Sequence, residues 1–514
     1  MKKQVLSALA FCSALGIAQA QTDVTKEYLV NPSFETLKAA DGTTDVAVKT
    51  KLENGLYGWE ISKLLDNQFS NYQVESEASG SSTGIPANGI IKPSQGEFYY
   101  FNRQGWGNVD GSELKTSTSK NLPIGTYYAV IDYKAADFSN NNDASKSGTT
   151  IGIKAENATN ELLGENTAVR RAYSTLTSNS DPYMVNAAWN ELGTMFTVTE
   201  PTTVTISLVQ NMKNSGRSDI AWDNLRLYKI EDVSENAPMD VSGLITTSNY
   251  YAFGGWNIEG GNTFQVNTWS TEGENDGSGM TTPFIEDHVG KENKAANATI
   301  SHTVSHLIPG IYEVSGLIRV LNEAGGDTPS GATLYANEGS TNACNGEPCT
   351  NGVYGTYIVK GTVGTDGVLT FGIKVANANF NWVSFKNFKL QYLGAASIEQ
   401  LQATLQEKIE EAKAYAENCP KGIAAIVNAA ITQGDNAQPT EESLNAAIAA
   451  LTQAIALAEE TAPATEAFKT LMATSQGYAS HSSAEESVKQ AFQKAMTDAQ
   501  ACLLYTSPSP RDTR

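Results

Sequence analysis

One pattern is written twice in this chain. Asn121-Leu-Pro-Ile-Gly-Thr-Tyr127 and His306-Leu-Ile-Pro-Gly-Ile-Tyr312 each read as a turn that launches an alternating strand. Each copy closes on a matching segment, Trp222-Asp-Asn-Leu-Arg-Leu-Tyr-Lys-Ile230 in the first and Phe385-Lys-Asn-Phe-Lys-Leu-Gln-Tyr392 in the second. A Gly-Trp pair stands upstream of both, Gly58-Trp59 and Gly255-Trp256. Landmarks in the same order, with length changes confined to the intervals, mark one fold duplicated with variable loops.

The intervals say what kind of fold is repeated. From Tyr28 onward, short alternating runs are separated by Gly, Asn, Ser and Asp clusters, the signature of short antiparallel strands in a sandwich. Phe196-Thr-Val-Thr and Thr203-Val-Thr-Ile-Ser-Leu208 flank Glu200-Pro201 and predict a hairpin. The polar, aperiodic stretch Glu231–Pro238 predicts a domain boundary. After Gly394 the composition turns to Ala, Glu, Gln and Leu. Ser397-Ile-Glu-Gln400 is a capping box before Leu401, Leu405, Ile409 and Ala412 at helical spacing. Leu444, Ile448, Leu451 and Ile455 form a second stripe, and Ser483-Ala-Glu-Glu486 caps a further segment. The chain is therefore expected to be multidomain and mainly β. The expected parts are β-sandwiches at 21–231 and 240–394 and a small antiparallel bundle of about three helices at 397–501.

Whole-chain properties limit the function. A formal charge of −21 argues against nucleic acid or an anionic membrane as partner, because both would repel the average surface. Neutral ligands and an extracellular protein partner stay open. Lys2-Lys3, the apolar run Val5–Ile17 and Ala18-Gln-Ala20 predict a signal peptide at 1–20, hence a secreted, extracellular or cell-surface protein. No later stretch has the length and apolarity of a membrane span. In an oxidising compartment Cys344 and Cys349, in Cys-Asn-Gly-Glu-Pro-Cys, are expected to form a disulfide across a loop tip. A metal there would lack a second ligand pair. Residues 502–514 resemble the translation of a sequencing adapter, so they are expected to be non-native and the natural protein to continue differently beyond Gln500.

Catalytic signatures are absent from the sequence. Of four histidines, His302 and His306 have the i, i+4 spacing of a helical zinc pair. Their surroundings alternate as a strand, which would set them about 13 Å apart, too far for one metal. No nucleophile elbow or phosphate-binding loop appears, so these residues are expected to bind rather than catalyse. Aromatics beside polar side chains carry the binding argument. Phe98-Tyr-Tyr-Phe-Asn-Arg-Gln-Gly-Trp106 places Tyr99, Phe101 and Arg103 on one face and Phe98, Tyr100 and Asn102 on the other. One face must fill the core; the other, with Trp106 between glycines, is a candidate sugar platform, since pyranose rings stack on aromatic faces while polar side chains take the hydroxyls. Tyr100, Arg103, Trp106 and the loop residue Trp189 are the ligand candidates.

Asn31-Pro-Ser-Phe-Glu35, the Leu-Pro-x-Gly-x-Tyr turn and the Trp-Asp-Asn-Leu-Arg-Leu ending resemble carbohydrate-binding modules of the galactose-binding-like jelly-roll superfamily. The second copy, with Asn267-Thr-Trp-Ser, Thr282-Pro-Phe-Ile-Glu286 and Asn381-Trp-Val-Ser-Phe-Lys-Asn-Phe388, resembles modules repeated in secreted proteins of Bacteroidales-type gut bacteria. The helical part resembles the small repeats called FIVAR. These resemblances imply jelly-roll sandwiches and a glycan (oligo- or polysaccharide) as partner. They also imply one structural calcium in the first sandwich, held by Glu35 and Asp223; in the second copy Lys386 replaces Asp223 and would repel the ion. Two functions fit: a secreted non-catalytic carbohydrate-binding protein or the binding portion of a larger glycan-processing one, and alternatively a stalk presenting a C-terminal module.

Overall fold

The computed structural model describes residues 21–505 except 53–54, 63–70, 78–91, 105–108, 139–148, 171–188, 213–216, 246–255, 263, 268–283, 326–327, 338, 344–353 and 477–484. The expected signal peptide, Trp106, Cys344, Cys349, Ser483 and residues 506–514 lie outside the described residues.

Strands are numbered β1 to β22 in chain order. In the first sandwich one sheet runs β3 (Asn71–Ser76), β4 (Phe98–Gln104), β11 (Arg217–Ile230), β6 (Gly125–Phe138) and β9 (Asn190–Val198), with β1 (Gln21–Asp23) also on β11. The opposite sheet runs β2 (Glu60–Ser62), β5 (Val109–Ser117), β10 (Val204–Met212), β7 (Thr149–Asn157) and β8 (Leu162–Arg170). The second sandwich repeats both orders strand for strand. Its first sheet is β14 (Phe264–Asn267), β15 (Phe284–His288), β22 (Trp382–Tyr392), β17 (Gly310–Leu321) and β20 (Gly355–Val363), with β12 (Met239–Asp240) on β22. Its second is β13 (Trp256–Gly260), β16 (Ala298–Val304), β21 (Leu369–Val375), β18 (Ala332–Ala336) and β19 (Gly339–Asn342). The chain thus folds as two β-sandwiches followed by helices.

The repeated residues recur because they do the same local work. Tyr127 and Tyr312 are buried, and each donates its hydroxyl to the carbonyl four residues back, Pro123 at 2.9 Å and Ile308 at 2.9 Å. That bond locks the turn to the strand it starts. Gly310 has φ 150°, and a Cβ there would lie 2.4 Å from the Gly394 carbonyl oxygen, so no other residue fits. In both closing strands a bulge sets two residues against one: Asn224 and Leu225 face Ile131, and Asn387 and Phe388 face Gly316. The bulge asparagines have φ 54° and 52°, a left-handed backbone that Asn tolerates best after Gly.

Inside the first sandwich Trp59, Tyr100, Tyr133, Trp222 and aliphatic side chains from both sheets fill the core. Each such ring contributes about 1.5–3 kcal/mol by leaving water. His302, the residue weighed as a zinc ligand, is buried in the second core with its ring 5.5 Å from Trp256, and His306 lies in a turn. The two sandwiches form one compact unit. Tyr128, Val130 and Met195 of the first belong to the hydrophobic core of the second, beside Met239, Val241, Leu244 and Ile245. Gly243 makes that approach feasible, since a Cβ there would sit 2.5 Å from the Tyr128 hydroxyl. Across the same junction the Tyr312 hydroxyl reaches Met195 Sδ at 3.5 Å and Asn166 Nδ2 donates to the Leu244 carbonyl at 3.2 Å.

Two expectations are corrected. The runs around Glu200-Pro201 do not pair as a hairpin, because β9 and β10 belong to opposite sheets and the turn carries the chain across the sandwich. Their clean alternation comes from one face of each strand meeting the shared core. The helical unit, expected to have about three helices, has four among the described residues: α1 (Ile398–Ala416), α2 (Lys421–Asp435), α3 (Glu441–Gln476) and α4 (Glu486–Tyr505). Pro420, followed by Val427 and Ile431 on a buried stripe, starts the helix that the count missed. The capping box at Ser397 is present with both of its hydrogen bonds.

Candidate functional site

Strand alternation decides which face of β4 is available. Tyr100 and Asn102 point inward; Tyr100 is 1% exposed and stacks on Phe34 with centroids 5.7 Å apart. Tyr100 is therefore corrected from ligand candidate to core residue: a ring surrounded by protein presents no face to a sugar. Tyr99 and Phe101 are on the other face, where the backbone register also places Arg103, opposite Asp219.

Along that outer face one row crosses the sheet through paired positions: Gln73 on β3, Phe101 on β4, Ala221 on β11 and Lys134 on β6. Trp189, just before β9, ends the row, and the Lys134 ammonium lies 5.4 Å from its ring centroid. Its indole N–H donates to the Lys92 carbonyl at 3.0 Å and its ring meets Tyr99 edge-on at 6.2 Å. Beneath, Glu75 accepts from Gln73 Nε2 at 2.6 Å and from the Tyr99 hydroxyl at 2.8 Å. Those bonds fix one carboxylate in a buried polar pocket next to a partly exposed indole. Of the ligand candidates, the described structure brings Trp189 to this face, on which the register of β4 also places Arg103.

The adjacent row is ionic. Arg226 pairs with Asp132 and, at 3.0 Å, with Glu191; Ser94 and Asn224 also donate to Asp132. Burial raises the Glu191 carboxyl and pushes Asp223 up to about 8. Asp223 nevertheless accepts three backbone N–H bonds, from Ser94 at 2.8 Å, Gln95 at 3.0 Å and Asn224 at 2.7 Å. Glu35 accepts from the N–H groups of Glu97 and Phe98, each at 3.1 Å. The two carboxylates clip the segment 94–98 in place, and Gly96 supplies the left-handed φ of 69° within it. Calcium needs six to eight open oxygen ligands. Oxygens facing N–H donors do not fit that requirement. Among the described residues no three His, Cys, Asp or Glu side chains are grouped to hold a metal.

The second sandwich repeats the row in register, with different side chains: Gln265 on β14, Glu286 on β15, Ser384 on β22, Arg319 on β17 and Tyr354 just before β20. The pairing of a cation with the terminal aromatic is kept, Arg319 standing 5.5 Å from the Tyr354 centroid. Trp382 lies between two planar groups, the Arg319 guanidinium at 3.9 Å and the His288 ring at 4.1 Å, which at those distances must occupy opposite faces. Glu286 accepts from Trp382 Nε1 at 2.8 Å and Gln265 Nε2 at 2.7 Å.

Sequence reasoning passed over Gln73, Glu75, Lys134, Glu286, Arg319 and Trp382. The available signal was that polar residues of these strands fall on the parity opposite to the core aliphatics, one residue on each strand of the sheet.

No family model matches the chain, and no curated protein does. Solved structures resemble parts of it. One is a family 61 carbohydrate-binding module in complex with β-1,4-galactotriose, 15% identical, covering 39% of this chain and 97% of its own, TM-score 0.23. A tandem of family 22 carbohydrate-binding modules from Paenibacillus barcinonensis is 10% identical and covers 74% of this chain and 100% of its own, TM-score 0.21. A cyclase from Fischerella sp. TAU, in complex with an indolyl butanone, is 14% identical and covers 40% of this chain and 97% of its own, TM-score 0.25. Likenesses of this degree leave the ligand open.

Proposed function

We propose that this chain is an extracellular, non-catalytic glycan-binding protein and that the outer face of its first sandwich is a binding site. The observation that carries this reading is Trp189, partly exposed and held by its own N–H bond, over a buried layer of Tyr99, Glu75, Gln73 and Lys134. A pyranose stacks its C–H face on such an indole, which the buried layer holds in place. Arg103 and Trp106, in and after β4, belong to the same proposal on their chain position. Nothing in this arrangement poises a nucleophile or a pair of catalytic acids, which favours capture over turnover. Secretion rests on the sequence of residues 1–20.

Affinity electrophoresis of the full chain over neutral and acidic glycans tests this reading. Retardation by at least one glycan that is lost in Trp189→Ala, with the fold unchanged by circular dichroism, is the expected result. No retardation on any glycan would overturn it and leave the stalk reading in front.

A further inference from the structure

The indole on which the ligand reading depends is fixed through a segment that belongs to no strand. Trp189 donates its ring N–H to the Lys92 carbonyl at 3.0 Å, and Lys92 and residues 94–97 are exposed, ahead of β4. A carbonyl in such a segment is only as well placed as the segment's anchors. The anchor nearest to it along the chain is Asp223. Its Oδ2 accepts the N–H groups of Ser94 at 2.8 Å and Gln95 at 3.0 Å, while its Oδ1 accepts the Asn224 N–H at 2.7 Å, so both oxygens are oriented. Asp223 is 0% exposed in β11, and Asp132, paired with it in register on β6, takes the Ser94 hydroxyl. Further along, Ser33 Oγ donates to Gln95 Oε1 at 2.6 Å, and Glu35 holds the amides of Glu97 and Phe98.

Between the Lys92 carbonyl and the clipped Ser94 amide stands Pro93 alone. Its ring fixes its own φ and keeps Lys92 out of the helical region. One backbone angle, the ψ of Pro93, therefore separates the carbonyl that holds the indole from the amide that the carboxylate holds. From this geometry we propose that Asp223 is a positioning residue for the ligand site of the first sandwich: through Ser94, Pro93 and Lys92 it sets the orientation of Trp189 without bonding to it. The proposal rests on the reading that Trp189 is a glycan platform. A sugar ring gains most from stacking when the indole already stands in place, because ordering a side chain on binding subtracts from the affinity. In the second sandwich the matching position is Lys386, whose ammonium has no acceptor for backbone amides, and Trp382 there bonds directly to Glu286 at 2.8 Å. The relay through a segment belongs to the first sandwich.

Fluorine NMR and affinity electrophoresis of the full chain test the proposal. The first uses protein labelled with fluorotryptophan, the Trp189 signal being identified by its loss in Trp189→Phe; the second uses gels containing a galactan, a xylan or a polygalacturonate. In Asp223→Ala the Trp189 signal should shift or broaden, and the affinity for a glycan that retards the unaltered chain should fall about threefold or more. Pro93→Gly, which loosens the link and leaves the carboxylate in place, should have the same two effects. Asp223→Asn, which keeps a carbonyl oxygen for the Ser94 and Gln95 amides, should recover most of both, and Tyr127→Phe, a destabilising change outside the segment, should alter neither. A Trp189 signal unmoved in either Asp223→Ala or Pro93→Gly would overturn the proposal, as would a moved signal with undiminished affinity. In those cases the glycan-binding function stands; no retardation of the unaltered chain by any of the glycans removes both. If Asp223→Ala fails to fold, Pro93→Gly in the exposed segment decides by the same two readouts.

Discussion

The two sandwiches agree in every strand pairing and diverge in almost every side chain of their outer faces. In the first, Tyr128, Val130 and Met195 bury the lower end of that face against the segment leading into the second sandwich. In the second, the positions matching Tyr128 and Val130 are Glu313 and Ser315, both only partly buried. The comparison teaches that register is held by the turn tyrosine, the bulge asparagine and the core parity, which leaves the other parity free to become an interface, an ion cluster or a ligand surface.

The largest expected effect breaks the symmetry of the pair. Tyr128→Ala should cost about 3–5 kcal/mol by opening the shared core, whereas Glu313→Ala at the matched position should stay within about 0.5 kcal/mol. Denaturant melts of the full chain measure both, and similar costs would mean that the sandwiches do not share a core.

Next in size is the clip on segment 94–98. Asp223→Ala should cost about 1.5–3 kcal/mol, because three backbone amides lose a carboxylate acceptor. Its pH dependence sharpens the contrast with Lys386. Burial raises the Asp223 carboxyl above its ordinary value of 3.8 to about 8 in the folded state. The folded state therefore holds the proton more tightly, so its stability is highest at low pH and declines as pH rises from about 4 through about 8. Asp223→Asn should flatten that decline, as melts at several pH values would show.

A smaller effect tests what the copies share. Tyr127→Phe and Tyr312→Phe each remove one hydroxyl bond to the carbonyl four residues back and should each cost about 1 kcal/mol. A large inequality would show that the junction contact of Tyr312 with Met195 outweighs the shared turn.

The smallest effect expected is none. Calcium and chelator should give the same melting curve, since Glu35 and Asp223 face amide donors; a calcium-dependent rise would restore the ion to these residues, because a ligand bound only by the folded state must stabilise it.

Much of the fold was legible because its determinants are local. A Leu-Pro-x-Gly-x-Tyr turn makes its own hydrogen bond, and Asn224 and Asn387 are of the residue type that best tolerates the left-handed bulge after Gly. A capping box at Ser397 likewise closes within four residues. The site was less legible. Alternation in Phe98–Arg103 defines two faces but does not say which is inside, and here both faces of the strand are covered, so Tyr100 and Tyr99 look alike in the sequence.

The sequence by itself determined the duplication, the two sandwiches, the change to helices after Gly394 and the parity that separates core from outer residues, because each depends on neighbours within a few positions. Only the tertiary structure decided that β9 and β10 lie in opposite sheets, that Glu35 and Asp223 hold a loop, and that Gln73, Glu75, Lys134 and Trp189 meet on one face. The physical reason is that these placements depend on which strands pair: Glu35 and Asp223, or Gln73, Lys134 and Trp189, are far apart along the chain, and a row across a sheet exists only once its strands have paired.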